Sequence, residues 1–227
     1  MMYSSHAEAK EAIIEAGQRL YQRAYVAAND GNISARMSDG TVWTTPTGVS
    51  KGFLAEHQLV RLSPEGQVIE GKCIASSEAA MHLAIYRENP AVAGIVHTHA
   101  PASTAYATLG KPFDLAISLE TVVQFGVIPC VPYAVTGSPA LAENTAKFCR
   151  EYNGAFLEHH GAVTWGGDVM QALFRTECME HTIIMYSHML ALGEVRLLSE
   201  LQIDELMAVR ERFGITGPRP RGSVKRD

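Results

Sequence analysis

The alternation of apolar and polar positions predicts an α/β chain whose strands come in hairpins. Apolar residues at helical spacing predict helices from the Ser5 cap to about Ala28 and over 78–88, 101–109, 139–152, 168–192 and 202–213. Short apolar runs predict strands over 33–37, 41–44, 60–62, 67–69, 94–98, 128–132, 155–158 and 162–165. Because strict βαβ alternation is missing, we expect a mostly antiparallel sheet covered by helices.

The composition predicts one soluble domain. The chain has 227 residues, of which 47% are hydrophobic, and this is enough for one substantial core over residues 1–213, followed by a short tail over 214–227. A net charge of -5 argues against nucleic-acid and membrane-surface partners. No apolar run reaches the roughly 20 residues of a membrane span. The four cysteines form no C-x-x-C pair, so we expect reduced thiols in a cytoplasmic protein.

Three histidines have the spacing of a metal site. His97 and His99 point to the same side of an extended chain, because strand side chains alternate with period two. His160 follows another predicted strand and precedes Gly161, where the backbone can turn sharply. Three imidazoles on one ion leave coordination positions open, as catalytic metals require. A single histidine at a strand end is more often an ordinary packing residue, so the prediction depends on the three together.

Hydroxyl groups and a carboxylate meet where the helix over 78–88 begins. Ser76 and Ser77 could place hydroxyls beside free backbone N–H groups, which suits a phosphate, and Asn32 and the Thr47-Gly48 turn could supply further donors. Ser77 could equally be only a helix cap. Glu78 could merely complement the helix dipole, or it could act as a base beside a carbonyl polarised by the metal. No nucleotide-binding glycine motif is present in the sequence.

These residues resemble the motifs of a known family. The chain is similar to class II aldolases, the family of fuculose-1-phosphate aldolase, ribulose-phosphate 4-epimerase and the adducin head. The matching segments, in the family's order, are Gly31-Asn-Ile-Ser34, Thr45-Pro-Thr-Gly48, Ser76-Ser-Glu78, His97-Thr-His99, Ile128-Pro-Cys-Val-Pro-Tyr133 and His159-His-Gly161.

The resemblance implies a fold, an assembly and a set of roles. The implied fold has three layers, α/β/α, around a mainly antiparallel sheet, and the implied assembly is a homotetramer with active sites near subunit interfaces. His97, His99 and His160 would hold one divalent ion per subunit, zinc first, with manganese or cobalt as alternatives. Glu78 would be the catalytic acid/base. The phosphate of a sugar phosphate would be held by Asn32, Thr47, Gly48, Ser76 and Ser77.

One departure from the family concerns the reaction. Fuculose-phosphate-type aldolases use a tyrosine from the neighbouring subunit to protonate the aldehyde oxygen, and its place falls near Ser118, where no tyrosine stands. Glu120 is close enough to be a substitute acid, although it could equally be an interface or capping residue. The expected reaction is cleavage of a ketose 1-phosphate to dihydroxyacetone phosphate and an aldehyde. The alternatives are a 4-epimerase, a dehydratase or a decarboxylase on the same metal site, and a non-catalytic adducin-like scaffold.

Overall fold

The computed structural model describes residues 2–223. Its helices are α1 (His6–Gln22), α2 (Ala79–Glu88), α3 (Pro101–Ala107), α4 (Leu119–Gln124), α5 (Pro139–Ala146), α6 (Val169–Leu192) and α7 (Glu200–Arg212), with short 3-10 turns at Lys51–Phe53 and Glu56–Gln58. Its strands are β1 (Asn32–Arg36), β2 (Val42–Thr44), β3 (Val60–Leu62), β4 (Val68–Glu70), β5 (Gly94–Thr98), β6 (Cys130–Val131), β7 (Gly154–Leu157) and β8 (Gly161–Gly166).

All the strands join one sheet. The order of its eight strands is β4-β3-β2-β1-β5-β8-β7-β6, and every neighbouring pair is antiparallel except β6 and β7. The central pairing of β1 with β5 sets Asn32 opposite His97. The next pairing sets His97 opposite Val163 of β8. The predicted hairpins and the mainly antiparallel sheet are confirmed.

Helices cover both faces of the sheet, which gives the predicted three layers. On one face, α2 and α5 pack on a core that includes Met81, Leu141, Ile95 and Val163. On the other face, α1, α3 and α6 pack against the sheet, and α4 packs on α6 and α7. His97 lies two residues beyond Ile95 on β5, so it shares the face that α2 covers.

Six helices differ from their predicted bounds, α3, α6 and α7 among them by one or two residues. The first helix ends at Gln22 instead of about Ala28, because Ala24 adopts a left-handed conformation and Val26 packs into the core on that side. Helix α5 ends at Ala146 instead of Tyr152. Helix α2 starts at Ala79, one residue later than predicted, and Glu78 instead of Ser77 is its N-cap residue. The short helix α4 was not predicted at all.

The first part of the tail lies against the domain. The backbone N–H of Arg221 donates to the carbonyl of Asp114 at 2.6 Å, and its carbonyl accepts from Ala116 at 2.9 Å. The Arg221 guanidinium also pairs with the Asp114 carboxylate. Residues 224–227 of the predicted tail lie outside the described residues.

Candidate active site

The three histidines converge at one end of the central strands. His97 lies in β5, His99 follows that strand, and His160 immediately precedes β8, the neighbour of β5. One nitrogen of each ring lies within 4.8 Å of the other two, and the ring centroids are 4.8–5.0 Å apart. The predicted convergence of two separated segments is therefore present in the structure.

Glycine is required where the two strands meet. A Cβ atom at Gly161 would lie 2.4 Å from the carbonyl oxygen of Thr98 and 2.9 Å from Cδ2 of His99, closer than real side chains come. The turn before it is tight, because His159 has a φ of 56° and the His160 N–H donates to the Leu157 carbonyl at 2.9 Å. This turn brings the His160 ring against the other two.

Hydrogen bonds fix which ring nitrogen can bind an ion. Nδ1 of His97 lies 2.9 Å from the carbonyl oxygen of Ala162, an acceptor, so this nitrogen carries the proton and Nε2 faces the cluster. Nδ1 of His99 lies 3.4 Å from the carboxylate of Asp30. Nδ1 of His160 is buried without a protein partner among residues 2–223. Two of the three rings therefore have the outer partner that orients a metal-binding imidazole.

The electrostatics of the cluster suit a divalent cation. Burial, followed by the charge of His97, lowers the pKa of His160 to about 4, and the same two causes lower the pKa of His99. Both rings are therefore neutral at pH 7 and have a free lone pair. Burial alone would lower the pKa of His97, but the charge and hydrogen bond of Glu78 outweigh burial and raise it. The raised pKa of His97 favours a proton on Nε2, and a cation bound at Nε2 would replace it.

Glu78 lies directly against the histidines. Its side chain is 7% exposed, and its carboxylate oxygens lie 3.2 Å from Nε2 of His97 and 3.4 Å from Nε2 of His160. The amide of Asn32 donates to it at 2.8 Å, and the hydroxyl of Thr136 donates at 3.0 Å. Burial would raise the pKa of this carboxyl, but the charge and hydrogen bond of His97 hold it well below its ordinary value. Glu78 is thus a desolvated, ionised carboxylate whose contacts go beyond helix capping.

A pocket of about 420 Å³ opens beside this carboxylate. Four of the five residues predicted for the phosphate line it, namely Asn32, Thr47, Ser76 and Ser77. Gly48, the fifth, forms the adjoining turn with a φ of 74° and is absent from the pocket wall. The two hydroxyl-bearing segments are joined by backbone hydrogen bonds, because Ser76 N–H donates to Thr45 at 3.2 Å and Thr47 N–H donates to Ile74 at 3.0 Å.

Glu120 lies away from this pocket. It is exposed in the first turn of α4, whose N-cap is Ser118, and it is absent from the pocket wall of the described chain. Its charge acts on Cys178 of α6. His82 lies four residues after Glu78 on α2, and its Nδ1 hydrogen-bonds to the hydroxyl of Ser34 at 2.7 Å.

Four residues around the pocket were missed by the sequence reasoning, and they are Asp30, Lys51, Tyr133 and Thr136. Asp30 precedes a matching segment of the family motifs and Tyr133 ends another, so proximity to those motifs was an available signal. Lys51 and Thr136 gave no signal, because only tertiary folding brings them to the site.

Within residues 2–223, no helix combines the length and the apolar character needed to cross a bilayer.

Comparisons with known proteins agree with this geometry. Residues 11–187 match the Class II Aldolase and Adducin N-terminal domain. The 3-oxo-tetronate 4-phosphate decarboxylase of Haemophilus influenzae is 33% identical over 202 residues, which cover 87% of this chain and 95% of the relative. The L-fuculose phosphate aldolase of Methanocaldococcus jannaschii is 36% identical over 171 residues, which cover 75% of this chain and 91% of the relative.

A solved structure supports the same relationship. YgbL from Klebsiella pneumoniae, which carries the combined designation aldolase/epimerase/decarboxylase, superimposes with a TM-score of 0.82 at 30% identity. The match covers 88% of this chain and 98% of YgbL. The predicted family and fold are confirmed. Members of the family depend on a divalent metal, and this chain has a cluster of three histidines that could hold one. The chain belongs to the class II aldolase and adducin family.

Proposed function

We propose that this chain is a divalent-metal-dependent lyase that acts on a phosphorylated sugar or sugar acid. It breaks the carbon–carbon bond between the α and β carbons of the ketone. The observation that carries the proposal is the position of Glu78, which contacts His97 and His160 at the base of a pocket lined with hydroxyls. A carboxylate in that position can move a proton at the carbon next to a polarised carbonyl.

The residues that would hold the ion are His97, His99 and His160, with one ion per subunit. Zinc is our first choice and manganese or cobalt the alternatives, because three imidazoles accept several ions. When bound, the ion supplies a Lewis acid that stabilises negative charge on the ketone oxygen. The charge on Glu78 at neutral pH makes it a base before bond cleavage and, once protonated, the acid that returns a proton.

The reaction that we favour is decarboxylation of a 3-oxo sugar acid 4-phosphate. The bond between C1 and C2 breaks, carbon dioxide leaves, and the electron pair remains on C2 as an enediolate. Glu78 takes the proton of the C2 hydroxyl before the bond breaks and then returns it to C2, and a proton from water neutralises the C2 oxygen, which gives dihydroxyacetone phosphate for a four-carbon substrate. The leaving carboxylate carries no proton, so this reaction needs no second acid or base. Residues 108–127 contain no tyrosine, and Glu120 lies outside the pocket, so decarboxylation suits the groups present.

The second candidate is aldol cleavage of a ketose 1-phosphate. Here the bond between C3 and C4 breaks, the hydroxyl on C4 loses its proton, and C3 gains one from Glu78. A second group must handle the proton of the C4 hydroxyl. Tyr133 favours this candidate, because it lines the pocket and its side chain is largely exposed. The L-fuculose phosphate aldolases among the relatives favour it as well.

One experiment separates the two candidates. Zinc-loaded protein is incubated with 3-oxo-tetronate 4-phosphate or with fuculose 1-phosphate, and dihydroxyacetone phosphate is followed by a coupled reduction. Both substrates give this product, but only the first releases carbon dioxide and only the second releases an aldehyde. Metal-free protein is the control. Absence of product from both substrates, with zinc bound, would refute the proposed lyase.

We also propose that the chain forms a homotetramer with active sites near subunit interfaces. Tyr133 and Val135 support this assembly, because they are 63% and 62% exposed at the pocket wall in the isolated chain. Light scattering should give four times the mass of one chain. A fully active monomer would contradict the proposed assembly.

A further inference from the structure

A buried lysine, Lys51, is among the residues that line the pocket, and the reaction above does not use it. Lys51 is 1% exposed, although most lysines project into water. Its Nζ donates to the carbonyl of Asn29 at 2.5 Å and to that of Val49 at 2.9 Å. Among residues 2–223, no carboxylate comes within ion-pair distance of it, so its charge has only neutral partners.

Such a charge is costly to bury. An ammonium loses its hydration on burial, and neutral carbonyls do not neutralise it. Burial lowers the pKa of Lys51 to about 8, while the more distant charges of Asp30 and Glu78 act in the opposite direction. A neutral side-chain amide has two N–H groups and could also donate to the carbonyls of Asn29 and Val49. These two hydrogen bonds therefore do not explain why a positively charged side chain occupies this position.

The backbone around Lys51 is held firmly in place. It lies in the 3-10 turn at 51–53, which packs closely on α1. A Cβ atom at Gly17 of α1 would lie 2.4 Å from the carbonyl oxygen of Lys51, and one at Gly52 would lie 2.3 Å from the ring of Tyr21. These close contacts, together with the two carbonyl acceptors, fix the ammonium before any ligand arrives. A preorganised charge loses less entropy when it binds.

The remaining lining groups show what kind of ligand this charge would complement. Asp30 and Glu78 are the carboxylates in the described pocket wall, and they would repel an anionic substrate. The predicted phosphate ligands supply only hydroxyl, amide and backbone groups. Among the described lining residues, Lys51 is the one lysine, and no arginine is present. A phosphate dianion would therefore find its opposite charge at Lys51.

We propose that the Lys51 ammonium binds the phosphate group of the substrate, together with the hydroxyls of Thr47 and Ser76. This inference rests on the proposed function, because it assumes a phosphorylated substrate. Lys51 is thus a determinant of substrate choice, which favours phosphorylated compounds over their unphosphorylated counterparts. It takes no part in moving the proton at Glu78.

The test measures ligand binding by calorimetry on the zinc-loaded full chain. The probes are inorganic phosphate, dihydroxyacetone phosphate and dihydroxyacetone, and the variant is Lys51→Met. We expect binding of the two phosphate-containing probes to weaken by about 10- to 100-fold, the loss typical of a charge-assisted hydrogen bond. Zinc content and dihydroxyacetone binding should not change. Lys147→Met is the matched control, because it removes an exposed lysine that does not line the pocket.

A second variant covers the case in which Lys51→Met unfolds the loop. Lys51→Gln removes the charge but keeps two N–H donors for the carbonyls of Asn29 and Val49, and the same weakening is expected. If folded, zinc-loaded variants bind phosphate within about twofold of the wild type, the inference is overturned. If phosphate binding depends on Lys51 but the protein releases no product from either substrate, the phosphate site stands and the proposed reaction fails.

Discussion

The substitution Glu78→Gln separates the proton-moving role of this residue from its structural role. Glutamine has nearly the same shape, and its amide oxygen can accept from Asn32 while its amide nitrogen donates to the freely rotating hydroxyl of Thr136. The change therefore leaves both side-chain partners satisfied. What it removes is the negative charge beside His97 and His160 and the ability to carry a proton.

The expected loss of activity is large. A positioned acid/base contributes about 100- to 10,000-fold to turnover, which corresponds to roughly 3–5 kcal/mol of activation free energy. The three imidazoles remain, so the variant should still bind one ion per chain. Loss of the charge-assisted contacts to the histidines should cost the metal-free protein no more than about 1–3 kcal/mol of unfolding free energy.

The assay is steady-state release of dihydroxyacetone phosphate, with zinc content measured on the same samples. Glu177→Gln is the control, because it also exchanges a carboxylate for an amide and weakens charged contacts, those to Arg19 and Arg23, outside the pocket. We expect the control to keep its turnover. If Glu78→Gln, with zinc bound, turns over within a few-fold of the wild type, Glu78 has no part in the proton transfer.

Three further predictions concern the surroundings of the metal cluster. Gly161→Ala should fold but bind zinc at least about tenfold more weakly, since its Cβ would displace Thr98 or His99; unchanged affinity in a calorimetric titration would contradict the close packing. Asp30→Asn should weaken zinc binding about 10- to 100-fold by releasing Nδ1 of His99, whereas unaltered binding would mean that Asp30 does not orient the ring. Burial, followed by the charge of His97, lowers the pKa of His82 to about 3. The unfolded chain therefore binds the extra proton below about pH 6.5, and the wild type loses stability there as the pH falls. Unfolding free energies are measured with urea between pH 6.5 and 4.5. For each pH unit by which the pH falls, His82→Gln should lose up to about 1.4 kcal/mol less of this free energy than the wild type. Equal losses in the two proteins would contradict this prediction.

The sequence predicts best those features that depend on local periodicity. His97 and His99 share a strand and a period of two, so their common direction follows from the sequence. Their meeting with His160 depends on the pairing of β5 with β8, which the spacing indicated but could not fix. The family motifs supplied that link, and the same motifs gave the three layers of the fold.

Features that depend on tertiary contacts could not be predicted from the sequence. Helix α4 has only six residues, too few for a helical period to be visible, and it is stabilised by the Ser118 cap and by packing on α6 and α7. Lys51 has the composition of an ordinary surface lysine, and only the packing of its turn on α1 buries it. Thr136 reaches Glu78 across a separation of 58 residues.

The central claim is that three imidazoles from two separated segments bind one catalytic cation. X-ray absorption on protein loaded with one equivalent of zinc tests it most directly. We predict three imidazole nitrogens at about 2.0–2.1 Å, with the remaining positions occupied by oxygen, and one fewer nitrogen in His160→Ala. A spectrum with sulfur ligands, or one that His160→Ala leaves unchanged, would contradict the claim.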